Sequence, residues 1–237
     1  MKKIKALFID CDGVLYDKKN CTYEDIAVIG FGKTLDQFGI TRERADKRHA
    51  ELKAKNIHGL YNVVLDLSRQ DGFSFSKFAA QMIQNVDYSR IPQDKALLSL
   101  LKQIGQKMPV YFVTNNTYPH LLRILSCLNG RPVRNVFKEF HIIPITLEKT
   151  LHNNVFHPKK TEHQFLNLCT QIGQMPYDVL LLDDTGNVCA AAKQQGLNVI
   201  QIQGPEQTKQ IIRGVLNETS NNKRPLSVRK TRRGSSR

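Results

Sequence analysis

The stretch "IKALFIDCDGVLYD", residues 4–17, places three carboxylates directly after a short apolar run. The run has the length and composition of a buried strand ending at Ile9. Charged groups at the end of a buried strand are costly unless another group compensates them. Asp10 and Asp12, separated only by Cys11, therefore indicate a functional site at the end of this strand, whereas Asp17 is interpreted as a solvated loop residue.

Short apolar runs alternate with helical patterns throughout residues 92–216. The runs predict four more strands, at residues 109–114, 139–145, 178–184 and 197–202. Helices are predicted between and after them, the first beginning near Pro92 and stopping at Gly105. Apolar strands that alternate with helices are typical of a parallel sheet covered on both faces. The fold class we predict is therefore α/β, a doubly wound parallel sheet.

Residues 17–92 lack a comparable apolar strand. Helical spacing is evident from Val28 to Phe38, in the polar run 41–56 and in the amphipathic run 74–86. The segment therefore predicts a helical domain inserted after the first strand. Residues 1–16 and 93–216 are left to form the α/β core.

The composition argues against a membrane-spanning, secreted or disulfide-bonded protein. The chain has 237 residues, 41% of them hydrophobic, and no apolar stretch reaches the roughly 20 residues needed to span a bilayer. Its basic start is followed by an apolar run that Asp10 interrupts, which is not typical of a signal peptide. Five scattered cysteines without a CxxC pair favour reduced thiols over a disulfide framework or a zinc site. These features predict a cytoplasmic protein.

The net charge of +14 favours anionic partners, and residues 217–237 carry seven basic residues against one acidic residue. This tail has almost no apolar content and is predicted to be disordered. It is interpreted either as a terminus that aids solubility or as a tether to nucleic acid or another acidic partner. The cluster "KRPLSVRKTRR" is also typical of a nuclear-import signal, which adds the nucleus as a second predicted location.

Three of the predicted strands end in polar residues, and ligands of doubly wound sheets bind at the carboxyl ends of strands. The residues at these ends are Asp10 and Asp12, Thr114 and Asn115, and Asp183 and Asp184. Four carboxylates at one edge repel one another unless a cation lies among them. Mg²⁺, held by oxygen ligands at about 2.0–2.1 Å, is the cation we predict. The Thr114 hydroxyl and the backbone N–H groups after it suit phosphate oxygens.

D-x-D-G-V-L after a first strand, TNN after a second and DD after a later one resemble the motifs of the haloacid dehalogenase superfamily. The resemblance covers residues 4 to about 202 and implies that residues 17–92 are the helical cap of that superfamily. The runs "VYFVTNNTYPHLLRILSCL" and "LLLDDTGN" resemble the pyrimidine 5′-nucleotidase branch. A nucleotide, or another small phosphorylated metabolite, is the implied substrate.

The resemblance also implies roles for individual residues. Asp10 is the implied nucleophile, which takes the phosphoryl group as an aspartyl phosphate. Asp12 is the implied proton donor to the leaving oxygen, and later the base that activates water. Dehalogenases of the superfamily lack this second aspartate because a halide leaves without protonation. Asp12 therefore implies phosphoryl transfer.

The implied metal ligands are the side chain of Asp10, the backbone carbonyl of Asp12 and Asp184, with Asp183 beside or behind them. Thr114 and Asn115 are the implied ligands of the transferred phosphoryl group. Metal, lysine and threonine together would stabilise charge in the transition state.

The superfamily's lysine, commonly followed by proline, is harder to place in "FHPKKTEHQF", residues 156–165. Alignment on the proline puts His157 in its position, whereas alignment on Phe165 puts Lys159 there. Lys159 is preferred as the catalytic and phosphate-binding lysine, and the adjacent Lys160 and His157 remain alternatives. The asparagine usual after the two aspartates also departs from the pattern, since Asn187 comes one position early.

Three functions from different classes follow. The first is a Mg²⁺-dependent phosphomonoester hydrolase that acts on a small metabolite through an aspartyl phosphate. The second is a phosphatase of a phosphoprotein or of nucleic-acid ends, recruited by the basic tail. The third is a catalytically silent binding protein that keeps the fold. The intact Asp10, Asp12 and Thr114 argue against the third, and the displaced lysine motif leaves it open.

Overall fold

A computed structural model of the chain describes residues 4–22, 24–57, 59–152, 155–156 and 163–221. Seven strands lie in these ranges: β1 (Ala6–Ile9), β2 (Val110–Val113), β3 (Ile143–Ile145), β4 (Leu151–His152), β5 (Val155–Phe156), β6 (Val179–Asp183) and β7 (Asn198–Gln201). Five of them form one parallel sheet in the order β3-β2-β1-β6-β7, and β4 pairs antiparallel with β5. The predicted α/β fold with a doubly wound parallel sheet is confirmed.

The central strand β1 is buried on both faces. Leu7 and Ile9 belong to the larger of two hydrophobic clusters, whereas Ala6 and Phe8 belong to the smaller one on the other side of the sheet. Phe8 packs edge to face on Tyr111 of β2, with ring centroids 5.6 Å apart. Every residue of β1 thus contributes to a core, which is why the strand is continuously apolar.

The segment between β1 and β2 is helical. A π-helical turn (Asp25–Gly30) runs directly into α1 (Phe31–Gln37), and three helices follow: α2 (Arg42–Ala54), α3 (Leu60–Asp71) and α4 (Phe75–Asn85). Thr41 and Ser74 cap α2 and α4, since each side chain accepts a hydrogen bond from a backbone N–H three residues later. Helix α3 was not predicted, and its residues Tyr61, Val64 and Leu67 are buried.

Six further helices follow: α5 (Lys95–Gly105), α6 (Tyr118–Asn129), α7 (Val136–Phe140), α8 (Gln164–Gln171), α9 (Gly186–Gln194) and α10 (Pro205–Asn221). In the ranges that the model describes, none of the helices is both long and apolar enough to cross a membrane.

Two predicted boundaries are wrong. The strand predicted over 139–145 is reduced to Ile143–Ile145, because α7 extends to Phe140 and His141 ends it in the left-handed conformation at φ 58°. Helix α10 continues to Asn221 instead of ending near Leu216. Residues 217–221 contain neither glycine nor proline to stop it, and the Thr219 hydroxyl donates back to the carbonyl of Leu216 at 2.8 Å.

Gly105 allows close packing of two helices. The predicted end of α5 at Gly105 is confirmed, and the residue after it, Gln106, is also in the right-handed helical conformation. A Cβ atom at Gly105 would collide with the backbone oxygen of Phe140 and lie 3.0 Å from that of His141. The absence of a side chain therefore lets α5 pack on the end of α7.

Gly105→Ala is expected to lower the free energy of unfolding by about 1–3 kcal/mol, because the backbone of α7 must move to admit the methyl group. Gly214→Ala is the matched control, since Gly214 is exposed on α10 and no described atom lies within 4 Å of its added Cβ. That control should gain about 0.5–1 kcal/mol from helix propensity alone. Urea unfolding of both variants measures the difference, and an equal gain in both would contradict the packing role.

Candidate active site

Parallel pairing places the ends of three neighbouring strands at one edge of the sheet. Asp10 follows β1, Thr114 follows β2, and Asp183 ends β6 with Asp184 next to it. Asp10, Thr114 and Asp183 are nearly completely buried. A cavity of about 460 Å³ opens beside them, between this edge and the helical segment 17–92.

Both parts of the chain line this cavity. The core contributes polar groups, among them Asp10, Asp12, Asn115 and Thr185. The helical segment contributes mainly apolar groups: Ile26, Ala27, Leu60 and Tyr61. The cavity is thus charged at its floor and largely apolar on the side of the helices.

Asp10, Asp183 and Asp184 form an acidic cluster at this edge of the sheet, and Asp10 also lines the cavity. One carboxylate oxygen from each lies within 4.8 Å of the other two. Oxygen ligands at about 2.1 Å from one Mg²⁺ ion lie at most about 4.2 Å apart, so small side-chain movements bring these three into range. The donor set is entirely oxygen, as Mg²⁺ requires. The acidic cluster therefore fits the predicted cation.

Gly13 and Lys18 lie directly against the Asp184 carboxylate. Gly13 has a φ of +76°, and a Cβ there would collide with the Asp184 carboxylate, so both the conformation and the space require glycine. The Lys18 ammonium lies 2.6 Å from Asp184 Oδ2, and the Thr185 hydroxyl donates to Oδ1 at 3.0 Å. The D-x-D-G turn therefore packs directly against the end of β6.

The Asp12 side chain has different surroundings from the acidic cluster. Its Oδ1 accepts hydrogen bonds from the Tyr16 hydroxyl at 2.5 Å and from His120 Nε2 at 2.8 Å. Its Oδ2 accepts from Asn116 Nδ2 at 2.6 Å. Burial acts to raise the pKa of Asp12, but the interaction with His120 and the hydrogen bonds from Tyr16 and Asn116 outweigh it and hold that pKa well below its usual range.

Two more tyrosines form hydrogen bonds with the side chains that donate to Asp12. The Tyr88 hydroxyl lies 2.8 Å from Nδ1 of His120, a ring that is completely buried. The Tyr61 hydroxyl donates to Asn116 Oδ1 at 3.3 Å. Burial raises the pKa of both tyrosines, so their hydroxyls keep their protons and can act as donors.

The predicted residues Asp10, Asp12, Thr114, Asn115, Asp183 and Asp184 all lie at this edge of the sheet. The Thr114 hydroxyl accepts a hydrogen bond from the backbone N–H of Asn116 at 3.1 Å. The catalytic lysine is not located, because Lys159 and its alternatives His157 and Lys160 lie outside the described residues.

Sequence reasoning missed the residues that surround Asp12: Tyr16, Tyr61, Tyr88, Asn116 and His120. His120 is completely buried on α6 and was not among the predicted site residues. One signal was available, since His120 and Ile124 are four residues apart on the apolar face of α6, directly after the TNN motif. A buried histidine needs polar partners, and the motif is the nearest source of them.

The family model described as haloacid dehalogenase-like hydrolase matches residues 4–196. The chain belongs to the haloacid dehalogenase-like hydrolase family. The family predicted from the three motifs is therefore confirmed. A search of curated proteins found no match to this sequence.

Solved structures agree with the fold of this hydrolase. CbbY from Rhodobacter sphaeroides, in complex with phosphate, aligns with a TM-score of 0.51 and 15% identity over 84% of this chain and 85% of its own. The putative HAD-hydrolase YfnB from Bacillus subtilis, bound to magnesium, aligns with a TM-score of 0.52 and 16% identity over 90% and 100%. At this identity the likeness shows a shared fold.

Lys18→Met is expected to tighten Mg²⁺ binding, because the Lys18 ammonium and the ion would both lie against the Asp184 carboxylate and repel each other. Lys18 is half exposed, so the gain should be about 1 kcal/mol or less, roughly a fivefold change in Kd at most. Isothermal titration calorimetry with Mg²⁺ measures it.

Lys19→Met is the matched control, since Lys19 pairs with Asp17 at 2.9 Å and has the same charge. An equal change in both variants would show that only net charge matters, and would contradict the pairing argument.

Proposed function

We propose that this hydrolase is a Mg²⁺-dependent phosphatase that cleaves small phosphate monoesters through an aspartyl-phosphate intermediate. The observation that carries the proposal is the separation of Asp10 from Asp12. Asp10 belongs to the acidic cluster, whereas the Asp12 side chain has its own set of hydrogen-bond donors. Two carboxylates in different surroundings can take different roles in one reaction.

Each carboxylate then has a defined task. An oxygen of Asp10 attacks phosphorus, the bond from phosphorus to the leaving oxygen breaks, and Asp12 gives its proton to that oxygen. In the second step Asp12 takes a proton from water, whose oxygen attacks phosphorus and releases Asp10. The three donors around Asp12 stabilise its ionised form, which is the form that takes the proton from water. The proton taken up in that step is the one that Asp12 gives to the leaving oxygen of the next substrate.

Mg²⁺ would be held by Asp10, Asp184 and the backbone carbonyl of Asp12, with Asp183 beside them, and would supply positive charge next to the transferred phosphoryl group. Thr114 and Asn115 bind the phosphoryl oxygens in this proposal, and Lys159 is the proposed lysine. The aligned structures support it, because CbbY was solved with phosphate and YfnB with magnesium.

The cavity supports a small substrate. Its volume of about 460 Å³ is within the range of small-molecule sites, about 300–1,000 Å³. Residues 17–92 act in this proposal as a cap, whose apolar residues Ile26, Leu60 and Tyr61 contact the part of the substrate that carries the phosphate. A nucleotide combines a phosphate with a flat, weakly polar base and fits this description.

The direct test is phosphate release by the purified protein from a panel of nucleoside monophosphates, sugar phosphates, an aryl phosphate and a phosphopeptide, with and without Mg²⁺. Mg²⁺-dependent hydrolysis of small monoesters is expected. Activity restricted to the phosphopeptide would favour the macromolecular alternative, and no activity on any ester would favour a binding protein.

Asp10→Asn should fold normally and lose nearly all activity, because an amide cannot form the acyl phosphate. The measurement is the rate on an aryl phosphate, together with the melting temperature as a control for folding. A variant that keeps a tenth of the wild-type rate would rule out Asp10 as the nucleophile.

Asp12→Asn should lower kcat on alkyl phosphates by about 10²–10⁴-fold. The loss on an aryl phosphate should be smaller, since a phenolate leaves with less help from a proton donor. Comparison of kcat on the two esters tests the role of Asp12. Equal losses would show that Asp12 is not the general acid.

A further inference from the structure

Two chains of hydrogen bonds connect Asp12 to the helical segment 17–92. One runs from Tyr61 through Asn116, and the other from Tyr88 through His120. Both end on the carboxylate that the proposed function uses as general acid. The tyrosine hydroxyls lie at the far ends, one residue removed from the reacting group.

The Tyr61 hydroxyl determines how the Asn116 side chain is oriented. An amide presents an acceptor oxygen on one side and a donor nitrogen on the other. Because Tyr61 donates to Oδ1 at 3.3 Å, Nδ2 is turned toward Asp12 Oδ2, which it reaches at 2.6 Å. Without this donor the amide is held by one hydrogen bond fewer.

The Tyr88 hydroxyl acts in the same way on His120. When it donates to Nδ1 at 2.8 Å, the ring proton is on Nε2, the nitrogen that faces Asp12. His120 is completely buried, so water does not replace either contact. The tyrosine therefore selects the tautomer that donates to Asp12.

Both tyrosines belong to the segment between β1 and β2. Tyr61 is on α3, and Tyr88 lies in the connection from α4 back to the core. In the same connection, Arg90 pairs with Asp25 at 2.5 Å, and Thr22 also donates to that carboxylate. The outgoing and returning connections are thus tied together at Asp25, and Arg90 lies two residues after Tyr88.

We propose that Tyr61 and Tyr88 are positioning residues that aim the Asp12 carboxylate for proton transfer while α3 lies against Asn116. This inference rests on the proposed function and deepens it, because it makes proton donation depend on the position of the cap. A substrate enclosed by the cap then meets a correctly oriented proton donor, whereas displacement of α3 from the core breaks the Tyr61 chain.

Tyr61→Phe and Tyr88→Phe test the inference, since each removes only a hydroxyl. Both should lower kcat on an alkyl phosphate about tenfold, the equivalent of one hydrogen bond, and lower it much less on an aryl phosphate. Tyr61 lines the cavity and Tyr88 does not, so Tyr88→Phe should leave KM unchanged. Tyr111→Phe is the matched control, because Tyr111 is buried on β2 against Phe8 and should keep wild-type kinetics on both esters.

A second measurement separates positioning from general loosening of the structure. When Asp12→Asn is already present, adding Tyr88→Phe should cause no further loss of kcat, because the group being positioned is gone. Additive losses, or equal losses on both esters in the single variants, would overturn the inference and leave the proposed function standing.

NMR supplies a readout that does not need activity. The buried ring N–H of His120 is expected as a slowly exchanging downfield proton signal that Tyr88→Phe and Asp12→Asn shift and Tyr111→Phe does not. Absence of that response in the folded variants would overturn the hydrogen-bonded chain itself. A wild-type protein inactive on every ester, with the response intact, would instead contradict the proposed function and the proton transfer assigned to Asp12.

Discussion

Parallel pairing of β1 with both β2 and β6 is the constraint on which the site depends. Leu7 lies opposite Val110 on one side and Leu180 on the other, so the three strands advance in step and end together. Burial of every side chain of β1 makes a shift of this register costly, because it would move residues from one core to the other. The edge therefore holds Asp10, Thr114 and Asp183 in fixed proximity, although 173 residues separate the first from the last.

Carboxylates held this close together repel one another. The structure compensates this repulsion in one way for the acidic cluster and in another for Asp12. The acidic cluster lies beside the ammonium of Lys18 and has the oxygen donors that a divalent cation prefers. Asp12 instead receives three hydrogen bonds. Gly13 lets these groups lie close together, since it adopts the left-handed conformation directly after Asp12 and has no side chain to collide with the Asp184 carboxylate. Neighbouring carboxylates thus acquire separate surroundings within three residues of chain.

Local sequence patterns predicted the strands and the motif residues because both depend on neighbours in the chain. Continuous apolar runs such as residues 178–184 identify strands buried on both faces, and polar residues directly after them identify the edge. The hydrogen-bond partners of Asp12 could not be predicted from local sequence patterns. Its partners Asn116 and His120 are 104 and 108 residues away, and their relation appears only when β1 and β2 pair. The packing role of Gly105 could not be predicted for a similar reason, since the backbone that excludes a side chain there is that of Phe140 and His141.

The two chains of hydrogen bonds that end on Asp12 begin at neutral donors, the hydroxyls of Tyr61 and Tyr88. A lysine or arginine in place of Tyr61 or Tyr88 could also donate, but it would bring another buried positive charge close to the acidic cluster and oppose cation binding there. A tyrosine contributes a large apolar surface together with one directed donor, and burial keeps its hydroxyl protonated. The helical segment can therefore pack over the edge and hold the partners of Asp12 without changing the net charge of the site. One residue, Tyr61, thus serves two purposes, because its hydroxyl donates to Asn116 and its side chain forms part of the apolar wall of the cavity.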